Sequence, residues 1–319
     1  MNPIYSVGID IGGTNTDIGI VNEAGQCIDR CNLSTPAYGD NAELYMDDLV
    51  KAINGLLQKH GITEIKGVGI GAPNGNYFNG TIDNAPNLKF KGEVKLRDTL
   101  HAKMGVKVVV TNDANAAAYG EKIYGGGKNM NDFIMFTLGT GVGSGIIVDG
   151  KLVYGHDGFA GELGHAIVFP GGRLCSCGRK GCLEEYASAR GIVQTCRELM
   201  AEDKSYNGPL AQLSADKLDS RAIGEAANQG DPIALKVFEY TGYVLGIAIS
   251  NAVTFSSPEA IFLIGGPTKA GDVLFEPMRK SFSEHVLPIF EKKGKIPILL
   301  SQLNANDVAI VGAAALVNE

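Results

Sequence analysis

IYSVGIDIGGTNTDIGIV, residues 4–21, decides how the rest of the chain is read. Ile4 to Asp10 is β-rich and apolar, Gly12-Gly13-Thr14 is a tight glycine turn, and Ile18 to Val21 is a second apolar run at hairpin distance. A partner for this unit lies 126 residues further on: Gly13, Thr14, Gly19, Ile20 and Val21 recur as Gly139, Thr140, Gly145, Ile146 and Ile147, again between apolar strands. A repeated strand, glycine turn and strand suggests two similar lobes facing one ligand, since a lobe boundary is where clefts form. Two unrelated β-hairpins would give the same local pattern and remain open at this point.

Outward from this unit the chain alternates strands with helices. Residues 42–59 carry a helical pattern with Leu44, Leu49, Ile53, Leu56 and Leu57 expected on one side. Strands are expected at Gly67 to Gly71, Lys107 to Val110 and Ala260 to Ile264, a helix over the alanine-rich stretch 114–122, and a final helix from Asp307, a plausible N-cap, to Asn318. Such alternation means an α/β architecture.

Composition removes several classes of function. With 319 residues there is material for two lobes and a large core. Twenty-eight basic against 35 acidic residues give a formal charge of −7, and no basic block exists, which argues against a nucleic-acid partner held through phosphates. The N-terminal residues lack a basic segment followed by a long apolar one, and no run of about 18 apolar residues stands out, so a cytoplasmic protein without membrane contact is expected. Forty-three glycines are about twice the number that an average usage of roughly 7% would give, and they follow no collagen period. Turns and close backbone approaches must use them.

Three places can carry chemistry. The glycine turns after strands, at 12–13, 139–145 and 265–266, expose backbone N–H groups that suit phosphate oxygens. Neither a Walker loop nor a G-x-G-x-x-G after the first strand is present. Asp10 beside the first turn and Asp113 between a strand and a helix are candidate acids. For phosphoryl transfer to a hydroxyl, Asp113 suits the base and Asp10 the Mg²⁺ side, although Asp113 could also be a helix N-cap. The most specific feature is GELGH at 161–165 followed by CSCGRKGC at 175–182. His165, Cys175, Cys177 and Cys182 form a complete Cys₃His set for a closed, structural Zn²⁺ site.

These residues resemble the ROK family of sugar kinases and repressors. The likeness runs through DIGGTN at 10–15, APNL at 85–88, NDANAAAYGE at 112–121, LGTGVGSGI at 138–146, GHDGFAGELGH at 155–165, CSCGRKGCLEEYAS at 175–188 and IGGP at 264–267. The resemblance implies a two-lobed, ribonuclease H-like fold of the actin-like ATPase superfamily with duplicated lobes. Residues 1–118 and 307–319 would form the small α/β lobe and 119–306 the large one. It also implies a homodimer and a hexose substrate, with ATP in the cleft. Asp113 matches the family's catalytic base, and Asn87, Asn112, Glu162, His165 and Glu184 match residues that bind sugar hydroxyls. His165 would thus serve zinc with one ring nitrogen and sugar with the other. Gly12, Gly13, Thr14, Thr140 and Gly141 would hold the triphosphate, with Gly265 and Gly266 near the adenosine. Two departures stand out: Asn15 occupies a position where many members have lysine, and Pro73-Asn74 replaces the usual Pro-Gly after the third strand. No helix-turn-helix precedes Ile4, so an enzyme is expected rather than a regulator, most readily an ATP-dependent glucokinase acting at the sugar 6-hydroxyl; a kinase for mannose, N-acetylglucosamine, fructose or allose, or a non-catalytic sugar sensor, stays open.

Overall fold

A computed structural model describes residues 4–85, 87–292 and 296–319. The start of the N-terminal segment, residues 1–3, and the proline of the APNL motif lie outside these. The described residues group into two compact units, one comprising the chain up to Asn131 with Gly145–Gly161 and Ser301–Glu319, the other Asp132–Ser144 and Glu162–Leu300.

The first unit is built on a sheet of five strands. β1 (Tyr5–Ile11) pairs antiparallel with β2 (Asn15–Asn22), which pairs antiparallel with β3 (Cys27–Ser34). On the other side of β1 lie β4 (Val68–Gly71) and β8 (Val108–Thr111), both parallel, giving the order β3-β2-β1-β4-β8. Because strand side chains alternate between faces, Val7, Ile9 and Ile11 point one way and Gly8 the other. The apolar face is covered by α1 (Ala42–Lys59) and α2 (Leu96–Met104), whose Tyr45, Leu49, Ile53, Leu96 and Leu100 complete the core. Leu44 is exposed, contrary to expectation, and Tyr45 and Met46 are buried in its stead. Counting back from Leu49 by four and three residues reaches Tyr45 and Met46, whereas five residues falls off the stripe.

The opposite face carries α10 (Val308–Ala315). Gly19, Gly8 and Gly69 are register neighbours across β2, β1 and β4 and form a bare trough beneath it. A Cβ on Gly8 would lie 1.9 Å from the Ile310 carbonyl oxygen, and one on Gly69 1.8 Å from that of Ala313. The helix therefore rests on backbone. Asp307 occupies the N-cap of α10 but its side chain caps nothing; it pairs with Arg30 at 3.1 Å. A small antiparallel sheet of β5 (Gly75–Asn76), β6 (Thr81–Asp83) and β7 (Glu93–Val94) leads back to α2. α3 (Asp113–Tyr124) follows β8 directly.

The second sheet repeats the order of the first: β11 (Lys151–Leu152), β10 (Val142–Val148), β9 (Phe133–Leu138), β12 (Ala260–Gly265) and β13 (Ile298–Leu300), with β12 parallel to both of its neighbours. β10 opens in the second unit, and its later half from Gly145 groups with the first. Both glycine turns join the central strand of a sheet to the next strand. The second unit adds α4 (Glu184–Ala187), α5 (Ala189–Glu202), α6 (Ser220–Asn228), α7 (Pro232–Ser256), α8 (Asp272–His285) and α9 (Pro288–Lys292). α7 is long and apolar enough to cross a membrane, yet two-thirds of its apolar window is buried, with Val237 and Phe238 packed against Ile223 and Leu274. It is a core helix of this unit.

Candidate active site

In the first unit, the site grows from the adjacent ends of three parallel strands. Asp10 near the end of β1 is register neighbour to Gly71 of β4 and to Asp17 of β2. A Cβ on Gly71 would lie 3.3 Å from Asp113 Cα, so the missing side chain lets the two acids approach. Burial, then the charge of Asp113, then that of Asp17 push the Asp10 carboxyl up to about 7. Asp113 opens α3 at the surface of its unit, and its carboxylate accepts the Ala114 N–H at 2.8 Å. Desolvation still lifts it above the ordinary aspartate value, against the backbone N–H groups of Ala114 and Asp113 itself. The N-cap of α3 is Asn112, whose side chain accepts the Asn115 N–H at 3.0 Å. Asp113 is thus relieved of the capping role that its position suggested.

The turn Gly12 to Thr14 sits beside Asp10, closed by a 2.9 Å bond from the Gly12 N–H to the Asn15 carbonyl. A Cβ on Gly13 would come within 2.7 Å of the Asn87 carbonyl oxygen. The segment bearing the exposed Asn87 therefore lies directly on the first glycine turn. Buried Leu88 and Phe90 anchor that segment, the Phe90 ring lying 4.9 Å from that of Tyr45. Asn87, Asn112, Asp113, Asp10 and the turn are thus gathered in the first unit.

In the second unit the turn Gly139 to Gly141 is held by a 3.0 Å bond from the Gly139 N–H to the Gly141 carbonyl, and the Ala189 N–H at the start of α5 donates to the Gly139 carbonyl at 2.9 Å. Thr140 is exposed at its tip. A Cβ on Gly141 would stand 2.6 Å from Glu184 Oε2, so the Glu184 carboxylate lies against this turn. Glu184 is buried, accepts the Cys175 thiol at 3.0 Å, pairs with Arg190 at 3.5 Å and lies 3.9 Å from His165 Nδ1. Glu162 precedes the short 3₁₀ turn Leu163–His165, which the Leu163 N–H fixes on Ser144 Oγ at 3.1 Å. Gly265 has φ +124°, and a Cβ there would meet the Leu138 carbonyl oxygen at 1.9 Å; Gly266 beside it is exposed with open space around it. Asp10, Gly12, Gly13, Thr14, Asn87, Asn112 and Asp113 thus belong to the first unit, and Thr140, Gly141, Glu162, His165, Glu184, Gly265 and Gly266 to the second.

His165, Cys175, Cys177 and Cys182 bring their donor atoms within 4.8 Å of one another. The Cys177 and Cys182 sulfurs are 3.6 Å apart, as are Cys175 Sγ and His165 Nδ1. Tetrahedral zinc, with Zn–S about 2.3 Å and Zn–N about 2.0 Å, separates its ligand atoms by roughly 3.5 to 3.8 Å, so the set fits that ion. The loop is pre-folded: the Cys175 N–H donates to the Arg179 carbonyl at 2.8 Å and the Gly178 N–H to the Cys175 carbonyl at 2.9 Å. Burial disfavours thiolate at Cys177, but hydrogen bonds from the Arg179 N–H and side chain outweigh it and hold this thiol down at about 6.

Sequence reasoning missed Arg173 and Arg190. Arg173 donates to the Glu185 carbonyl at 2.7 Å and to Thr195 Oγ1 at 2.9 Å, with its guanidinium 4.7 Å from the centre of the Tyr186 ring. It clamps the cysteine loop to α4 and α5. Arg190 pairs with Glu184 and, at 3.0 Å, with Glu185. No spacing rule finds this cluster, because Ser188 breaks the helix between Glu185 and Arg190.

The profile of the ROK family matches residues 6–319. The chain belongs to the ROK family. Its fold is that of the actin-like ATPases. The glucokinase of Thermotoga maritima is 34% identical over 324 residues, covering 100% of this chain and 99% of that protein. Among solved structures, a ROK family glucokinase from Streptomyces griseus in complex with glucose and AMPPNP superposes with a TM-score of 0.79 at 35% identity, over 98% of each chain. The family's other branch is present too: a xylose repressor of Caldicellulosiruptor bescii is 31% identical over 283 residues, 87% of this chain and 70% of the repressor.

Proposed function

We propose that this ROK protein is an ATP-dependent hexose kinase acting at the 6-hydroxyl, with glucose as substrate. The observation that carries the reading is the pair Asp10, near the end of β1, and Asp113, just after β8, on either side of Gly71 at the end of β4, both carboxyls raised above their ordinary values. The glucokinase relatives support the choice of sugar and of ATP as donor.

In this reading Asp113 accepts the proton of the 6-hydroxyl as its oxygen bonds to the γ-phosphorus of ATP, the bridging bond breaks, and ADP leaves. Asp10 holds the Mg²⁺ side, where a divalent cation offsets the mutual repulsion of the two acids. The turns formed by Gly12, Gly13 and Thr14 and by Thr140 and Gly141 receive the phosphates, and Gly265 and Gly266 lie near the adenosine. Asn87, Asn112, Glu162, His165 and Glu184 bind the sugar hydroxyls. The division into a small lobe, 1–118 with 307–319, and a large lobe, 119–306, belongs to this reading, as do the homodimer and the cytoplasmic location.

His165, Cys175, Cys177 and Cys182 would hold one structural Zn²⁺. With Nδ1 on the sulfur side, the other ring nitrogen of His165 is left for the sugar, so the metal would orient a substrate-binding ring. A sugar sensor without catalysis is the competing reading, favoured by the repressor relatives. A coupled assay with ATP and a hexose panel separates the two: ADP formed with glucose supports the kinase, and sugar binding without ADP refutes it.

A further inference from the structure

Where the family pattern has glycine after Pro73, this chain has Asn74. Its backbone takes the left-handed conformation that glycine favours, with φ +52°, at the tolerable strain asparagine allows. The side chain adds something that glycine lacks. Asn74 Nδ2 donates to the Asp83 carbonyl at 2.9 Å and approaches that of Asn84 at 3.5 Å, while the Asp83 N–H returns a bond to the Asn74 carbonyl at 3.3 Å. Asn84, also left-handed at φ +45°, closes the base of the following segment: its N–H donates to the Gly92 carbonyl at 3.2 Å and its Oδ1 accepts the Gly92 N–H at 3.1 Å. Asn87 lies in the segment so closed.

On its other side the Asn74 turn is braced against the strand that ends in the acid. The Ala72 N–H donates to the Thr111 carbonyl at 2.9 Å, and Gly75 is so close that a Cβ would stand 2.3 Å from that same oxygen. Thr111 leads straight into Asn112 and Asp113. We propose that Asn74 is a positioning residue that ties the Asn87 segment to the Asp113 strand and so sets affinity for the hexose. The inference rests on the reading of Asn87 as a sugar-binding residue.

Two variants test it. Asn74→Gly keeps the left-handed backbone and removes the donor; Asn74→Asp keeps the shape and places a carboxylate against two carbonyl oxygens. Because the site is solvent-exposed, a single neutral hydrogen bond corresponds to about a threefold effect. The hexose KM, and the hexose Kd by calorimetry without ATP, should rise about threefold in Asn74→Gly and further in Asn74→Asp, with kcat and the KM for ATP unchanged. A merely structural role would lower kcat and raise both KM values together. Asn74→Gly binding hexose as tightly as the wild type, or losing kcat and ATP affinity in parallel, overturns the inference while leaving the kinase reading intact. A wild-type protein that binds no hexose fails the functional reading and this inference with it, whereas one that binds hexose without forming ADP still tests the tie through Kd.

Discussion

Asp10 and Asp113 are where single residues carry the chemistry. Each is a carboxylate that the surrounding protein makes reluctant to ionise, and a site that raises two acids side by side is prepared for a cation and for proton transfer. Replacing Asp113 by Asn should leave the fold and metal content unchanged and lower turnover by about 10² to 10⁴, as loss of a general base does; turnover equal to the wild type would remove Asp113 from the mechanism. Asp10 gives a pH signature. Its carboxyl titrates at 3.8 in the unfolded chain and at about 7 in the fold, so between these values the folded state holds the extra proton. Stability of the metal-free, nucleotide-free protein should therefore fall as pH rises from about 4 to about 7 and level off above. The Asp10→Asn variant should melt higher than the wild type at pH 8, with the difference vanishing near pH 4, as scanning calorimetry would read. A melting difference that does not change with pH would contradict the assigned cause.

Among the elements, α10 and its trough account for three of the 43 glycines. Gly8, Gly19 and Gly69 serve helix packing, and at Gly8 and Gly69 this is the close backbone approach that the glycine excess implies. Gly69→Ala would push a methyl group into the Ala313 carbonyl, an overpacking that costs on the order of 1 to 3 kcal/mol, and Tm should drop by roughly 2 to 5 °C; an unchanged Tm would mean that the helix seat is looser than the geometry says.

Local pattern was enough to read α1, the parallel strands and the glycine turns, because helix period, strand alternation and turn chemistry are written in neighbouring residues. What pattern could not supply depends on distant partners. The register that lines up Gly19, Gly8 and Gly69 and the diversion of Asp307 to Arg30 arise from packing between segments separated in sequence, whereas the cap moves from Asp113 to Asn112 by a local bond to the Asn115 N–H. The candidate site residues were named through the family motifs, whereas Arg173, Arg190 and the side-chain bonds of Asn74 carry no motif of their own.

At the scale of the whole molecule, the two sheets repeat one strand order, each carries a glycine turn after its central strand, and the second unit brings His165, Cys175, Cys177 and Cys182 together. One tightly held zinc per chain is expected by metal analysis of protein purified without chelator. Cys177→Ser should reduce that content and, because His165 shares the cluster, raise the hexose KM by about tenfold or more, in the range seen when metal-site supports are lost. Loss of metal with unchanged hexose KM would separate the two roles of His165. The central claim is phosphoryl transfer from ATP to a hexose, and its most direct measurement is ADP formation by the wild-type protein with Mg²⁺, ATP and a panel of hexoses, with sugar product identified by phosphorus NMR. The expected result is glucose 6-phosphate in equal amount to ADP, with glucose the best acceptor; hexose binding without ADP or phosphorylated sugar for any member of the panel would contradict it.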